Sequence, residues 1–165
     1  MKFTEAIRAF FSRYTDFRGR TPRSGYWWVV LFLVALSIGM WGVDMALFQG
    51  VYPQELLDQG LGPVSLLLIA ATAIPNLALG FRRLHDTGRS AWWILIFLGP
   101  LLVSSGVTGT LENPMEPTPL AIGLGVLTLI GGITLLVFYL LPSTPGSNQY
   151  GPNPLVPDPG PDASI

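Results

Sequence analysis

The side chains richest in chemistry stand in one run, Arg82-Arg83-Leu84-His85-Asp86-Thr87-Gly88-Arg89-Ser90-Ala91-Trp92-Trp93. Arginine forks match the geometry of phosphate and carboxylate, so Arg82, Arg83 and Arg89 point to an anion, an acidic partner or a buried ion pair. His85 beside Asp86 has the composition of a general base with an orienting carboxylate. On a helix, however, neighbouring residues point about 100° apart and do not face each other. His85 is the sole histidine, there is no cysteine, and no serine-centred nucleophile motif is present. No catalytic residue, metal site or cofactor is therefore assigned.

Two further segments carry matching chemistry: Asp16, Arg18 and Arg20 before the first apolar block, and Asn148 and Tyr150 after the last. Three readings of the combined cluster stay open. It is a structural clasp of Arg-Asp pairs and amide hydrogen bonds, with spare arginines on lipid phosphate; a site for an anionic ligand, headgroup or partner protein; or, most remotely, a catalytic centre.

What must position these residues is an apolar scaffold. Of 165 residues, 50% are hydrophobic and 12% charged, against roughly a quarter charged in soluble domains. The apolar residues fall into blocks at 26–48, 61–80, 91–111 and 119–141. A helix rising 1.5 Å per residue needs about 20 apolar residues to cross a hydrocarbon core of about 30 Å. Lipid offers no partners for backbone polar groups, and the alternation of a β-barrel is absent, so an all-α polytopic protein with four transmembrane helices is expected. The first block is too long for a cleaved signal and passes through Trp41, Asp44 and Met45 without a small-residue cleavage site.

Charge gives the direction. All nine basic residues lie before the first block or between the second and third, whereas the loops after the first and third hold Glu55, Asp58, Glu112 and Glu116. The positive-inside rule then puts both termini and the Arg82–Arg89 loop in the cytoplasm. Trp27, Trp28, Trp92 and Trp93 fall at the inner ends of the first and third helices, as interface anchors. Residues 1–25 form a cytoplasmic basic segment. Within it Phe3, Ile7, Phe10, Phe11 and Tyr14 recur at helical spacing, which predicts a short amphipathic helix on the inner leaflet. Residues 142–165 form a Pro/Gly-rich cytoplasmic tail.

Local signals refine the elements. Thr21-Pro22 and Ser90 are placed to cap the first and third helices, and Gly88 to stop an extension of the second. Pro75 and Gly99-Pro100 are kink positions. Ala121, Gly125, Thr128 and Gly132 share one face of the fourth helix, which predicts close helix packing there. Asp44, near the outer end of the first helix with no basic side chain on the outer side to pair with it, is expected in water; if buried, it should be protonated or face a wet cavity, which would favour transport. Asn76 is expected to hydrogen-bond across helices.

The Arg82–Trp93 run, together with Tyr14, Asp16-Phe17, Gly19-Arg20 and the later Pro145-Gly146-Ser147-Asn148-Gln149-Tyr150-Gly151-Pro152, resembles the DUF805 family of bacterial inner-membrane proteins, the YhaH/YhaI-like proteins. The resemblance covers about residues 11–154. It implies a multi-helix protein of the bacterial inner membrane and brings no activity to carry over. Ala91 stands where that pattern more often has glycine, and Gly25 where it often has glutamate, which removes a carboxylate from the inner face.

The expectation is a non-enzymatic membrane component that binds or organises a partner or lipid through the Arg/His/Asp cluster. Its partners are anionic headgroups at the cytoplasmic face, and a membrane protein or a second copy of the chain, not nucleic acid. The alternative is a small transporter or channel subunit, oligomeric because four helices leave little room for a pore.

Overall fold

In the computed structural model, which describes residues 1–111 and 118–156, the elements are helical. They are α1 (Phe3–Ser12), α2 (Arg23–Phe48), α3 (Gln54–Asp58), α4 (Pro63–Asp86), a 3-10 turn (Ala91–Ile94), α5 (Leu95–Leu111) and α6 (Pro119–Leu140). Among the described residues, α2, α4 and α6 are long and apolar enough to cross a membrane. The third apolar block differs from the expectation of a single helix. Ser90 Oγ accepts the Trp92 N–H and starts the block as a tight 3-10 turn, so its α-helical part is 17 residues.

Helix boundaries follow local chemistry. The second helix does not end with its apolar block but continues to Asp86, carrying Arg82, Arg83 and His85 inside it. Gly88 then takes φ +73°. Its N–H donates to His85 O and that of Arg89 to Leu84 O, the paired bonds of a Schellman stop. The first helix starts at Arg23, one step past the Thr21-Pro22 cap: Thr21 is buried and its N–H donates to Arg82 O. Thr118 caps α6 by accepting the Ala121 N–H, with Pro119 at the first position.

The chain divides into two compact units. In the first, Met1–Arg18 with Ser24–Leu79, α1 buries Ala6 and Phe10 against Val29 and Leu79. Pro75 inside α4 has no N–H for the carbonyl of Ala71 one turn earlier. The Tyr14 hydroxyl donates to that carbonyl instead, at 2.5 Å. In the second unit, Gly19–Arg23 with Gly80–Ile165, a core of Leu84, Ile94 and Leu135 is flanked by Phe81, Phe97 and Phe138. Pro100 likewise leaves the Ile96 carbonyl without its helical donor. Gly131 of α6 backs onto that carbonyl so closely that a Cβ there would stand 2.3 Å from the oxygen. The close approach therefore runs through Gly131, with Gly132 beside Phe97, and not through Gly125, around which there is open space.

Asp44 departs most from expectation. It is fully buried, not in water. Its Oδ1 accepts the Val64 N–H and its Oδ2 the Ser65 N–H, both at 2.8 Å. Helix α4 begins Gly62-Pro63 and supplies no capping side chain of its own, so a carboxylate from α2 fills that role, where orphan N–H groups and the helix dipole favour negative charge. Asn76 also departs: it is exposed, and no hydrogen bond of its side chain is described.

Candidate functional site

The clustered chemistry lies in the second unit around Asp86, the last residue of α4. Asp86 and Arg83 are wholly buried and Arg20 is 5% exposed. Arg83 and Asp86, three residues apart, share a helix face, and Arg83 Nη1 lies 2.6 Å from Asp86 Oδ2. Arg20 arrives from the segment before α2 and sets its Nε 3.1 Å from Asp86 Oδ1. Ser143, just past α6, donates its hydroxyl to Oδ2 at 2.5 Å. Each carboxylate oxygen is therefore engaged.

The remaining guanidinium donors go to backbone oxygens. Arg20 Nη1 donates to Gly146 O and Gly151 O, and Nη2 to Thr144 O at 2.8 Å, Thr144 Oγ1 and Asp86 O. Arg83 donates through Nε and Nη2 to Tyr139 O, and through Nη2 also to Leu141 O. All three nitrogens of each group are thus committed to protein oxygens. The carbonyls at the end of α6 and in the following segment carry partial negative charge that offsets the cationic excess around one carboxylate.

The segment after α6 is not a loose tail where the structure describes it. Thr144 N–H donates to Asp86 O at 2.9 Å. Asn148 Nδ2 donates to His85 O and to Thr144 Oγ1, and its Oδ1 accepts the Tyr150 N–H. Asn148 and Gly151 exchange both backbone bonds, closing a tight turn. The Tyr150 ring lies flat on His85, with centroids 3.8 Å apart and planes 8° from parallel. Nδ1 of His85 faces Gly19 O at 3.3 Å. Since that carbonyl can only accept, Nδ1 carries the proton in this contact. His85 and Asp86 thus serve different partners, as their helical offset requires.

Other residues singled out in the sequence lie elsewhere. Arg89 stacks over the Phe138 ring at 4.1 Å and donates to Thr87 O. Arg82 is buried at the same end of α4. Asp16 pairs with Arg13 at 2.7 Å within the first unit and accepts the Arg18 N–H, so Asp16 and Arg18 form a local turn. Among the tryptophans, Trp92 is 77% exposed, Trp93 packs edge-on against Phe138 and Trp28 edge-on against Phe3. Trp27 is half-buried, and its indole N–H is enclosed without a partner among the described residues. Trp27 therefore does not display its donor to headgroups as an anchor would. No group of three or more metal-ligating side chains lies together among the described residues.

Sequence reasoning missed Ser143 and Thr144, and the carbonyls of Tyr139, Leu141, Gly146 and Gly151. The backbone acceptors have no sequence signature. The Pro142-Ser143-Thr144-Pro145-Gly146 run after an apolar helix does mark an ordered turn with spare hydroxyls.

The family described as "Protein of unknown function (DUF805)" matches residues 14–152. Inner membrane protein YhaI of Escherichia coli (strain K12) is 33% identical over 141 residues, covering 86% of this chain and 87% of the relative. Inner membrane protein YhaH of the same strain is 31% identical over 142 residues, covering 86% and 88%. No solved structure matches. With apolar helices of spanning length and relatives of this kind, the chain is a membrane protein that belongs to the DUF805 family.

Proposed function

We propose that the protein is a four-pass protein of the bacterial inner membrane with both termini in the cytoplasm, acting without catalysis as an organising component. The observation that carries this is Arg20 hydrogen-bonded to Asp86, Thr144 and Gly151 at once. Residues before α2, at the end of α4 and after α6 must then share one membrane face. An even number of crossings must separate Asp86 from Thr144, so α6 needs a companion. The third apolar block supplies it: 17 α-helical residues give about 26 Å, and four 3-10 residues add about 8 Å, enough for a core of about 30 Å. The excess of arginine at this face makes it the cytoplasmic one.

At that face the Asp86 cluster is a clasp. Its arginine forks are filled by the chain's own C-terminal segment, which leaves anion recognition to the exposed cations Lys2, Arg8, Arg18 and Arg23. These are placed to meet anionic headgroups, each contributing about 1 kcal/mol near a charged surface. The transporter reading loses its main support, because both oxygens of Asp44 are occupied by the start of α4. Retention of phosphatidylglycerol through detergent extraction tests this. Lys2→Glu with Arg8→Glu is expected to lower it with the unfolding midpoint unchanged; retention equal to the parent protein would remove the headgroup role.

A further inference from the structure

We infer that Arg89 anchors one glycerophospholipid by its phosphate, in a site of the second unit built on Phe138, Ser90 and Trp92. The inference rests, like the headgroup contacts proposed for Lys2 and Arg8, on the end of α6 lying at the membrane interface, and goes beyond them in assigning a single bound lipid. Arg89 differs from those exposed cations in being held. It is half-buried, with its guanidinium carbon 4.1 Å from the centroid of the Phe138 ring and its Nη1 donating to Thr87 O at 3.2 Å. The backbone beneath it is fixed as well, since the Arg89 N–H donates to Leu84 O at 3.0 Å. Phe138 is fixed in turn by Trp93, which stands perpendicular to it at 5.2 Å.

Two observations point to an anion. The stacked face and Nη1 of Arg89 are in use, but Nε and Nη2 donate to nothing among the described residues. These two nitrogens form the side edge of the guanidinium, whose parallel N–H groups match two oxygens of one phosphate. In addition, no carboxylate pairs with Arg89 among the described residues. Asp86, three residues earlier, has both oxygens taken by Arg20, Arg83 and Ser143. A half-buried cation therefore stands without a counter-charge, and because its rotamer freedom is already lost, binding an oxyanion requires little further ordering. Ser90 adds a donor, since its Oγ accepts the Trp92 N–H and keeps its own proton for an acceptor. Depth selects a lipid as the source of the phosphate. Phe138 stands in the last turn of α6, and the third apolar block begins two residues after Arg89, so the site lies where hydrocarbon gives way to headgroups. The exposed Trp92 indole is favoured in that layer, and exposed Leu95 and Leu102 follow it at helical spacing as an apolar path for the chains.

The test titrates the full-length protein in detergent with phosphatidylglycerol and counts bound lipids by native mass spectrometry. The parent protein is expected to hold one phosphatidylglycerol that Arg89→Gln binds about tenfold more weakly, as the loss of charge-assisted hydrogen bonds requires. Arg89→Lys keeps the charge but not the side edge, and should lose nearly as much. Dioleoylglycerol, which has the chains without the phosphate, should not fill the site, and inorganic phosphate should not displace the lipid. Binding by Arg89→Lys equal to that of the parent would overturn the site, because charge alone would then explain the lipid. Displacement by inorganic phosphate would overturn the lipid as its occupant. Should Arg89→Gln fail to fold, Arg89→Lys decides alone. Lys2→Glu with Arg8→Glu separates this inference from the proposed headgroup role: it should lower the total of bound lipids and keep the tight one. A tight lipid lost in that variant but kept in Arg89→Gln removes the Arg89 site and leaves the headgroup role, whereas parental binding in both removes both.

Discussion

Arg20 and Asp86 stand 66 residues apart in sequence, yet the guanidinium Nε of one lies 3.1 Å from the carboxylate of the other with neither side chain more than 1% exposed. Removing one partner of such a pair leaves an uncompensated buried charge, which costs about 3–5 kcal/mol. Arg20→Met and Asp86→Asn are each expected to lower the unfolding midpoint sharply in detergent. Arg20→Lys should recover only part of the loss, because an ammonium cannot reach Asp86, Thr144, Gly146 and Gly151 together.

Asp44 and Gly62 form a second dependency. A Cβ on Gly62 would stand 2.3 Å from Asp44 Cγ, so Gly62→Ala must displace the carboxylate that caps α4. Asp44→Ala should lower stability, because it removes both charge-assisted hydrogen bonds to the start of α4. That truncation removes the Asp44 Cγ and Oδ2 but leaves its Cβ 2.6 Å from the new methyl, so Gly62→Ala should cost less in the Asp44→Ala background than in the parent protein. Additive losses in chemical denaturation would show that the two residues do not share the space.

Tyr14→Phe removes the donor that answers the carbonyl left open by Pro75. A loss of about 1 kcal/mol is expected from the missing hydrogen bond. Pro75→Ala restores the helical N–H, so in that background Tyr14→Phe should have little effect. A double-mutant cycle with zero coupling would separate the hydroxyl from the proline.

Glycine positions on α6 give a sharp contrast. Gly131→Ala puts a methyl into the Ile96 carbonyl and should cost about 1–3 kcal/mol through forced backbone movement. Gly125→Ala meets nothing within 4 Å and should be neutral or slightly stabilising. Equal midpoints for the two variants would contradict the packing of α5 on α6.

Periodicity and charge made much of this fold legible in the sequence. Apolar blocks set the long helices, Gly88 and Ser90 mark helix ends, and Asn148 lies against the end of α4, where it donates to His85 O. What escaped was the pairing of side chains with backbone. Its place near the outer end of the first helix makes Asp44 read as a surface carboxylate, but its partners are N–H groups, which every helix start possesses. A helix beginning Gly62-Pro63 without a capping side chain was the available hint. Small-residue spacing cannot tell that Gly131, and not Gly125, faces a carbonyl released by a proline in another helix. Asp16 and Arg18 have the right charges for the cluster, but a local pair with Arg13 satisfies Asp16 first.

The clasp ties the segment after α6 to the face that holds Arg20, and the chain has no cysteine of its own, so a single introduced thiol reports the side directly. Ser147, exposed within the turn that Arg20 binds, is the position to use. In intact cells Ser147→Cys should resist a membrane-impermeant maleimide and react only after the inner membrane is opened, with Glu55→Cys reacting from outside. Labelling of both Ser147→Cys and Glu55→Cys in intact cells would mean an odd number of crossings, and would contradict both the fourth pass and the clasp.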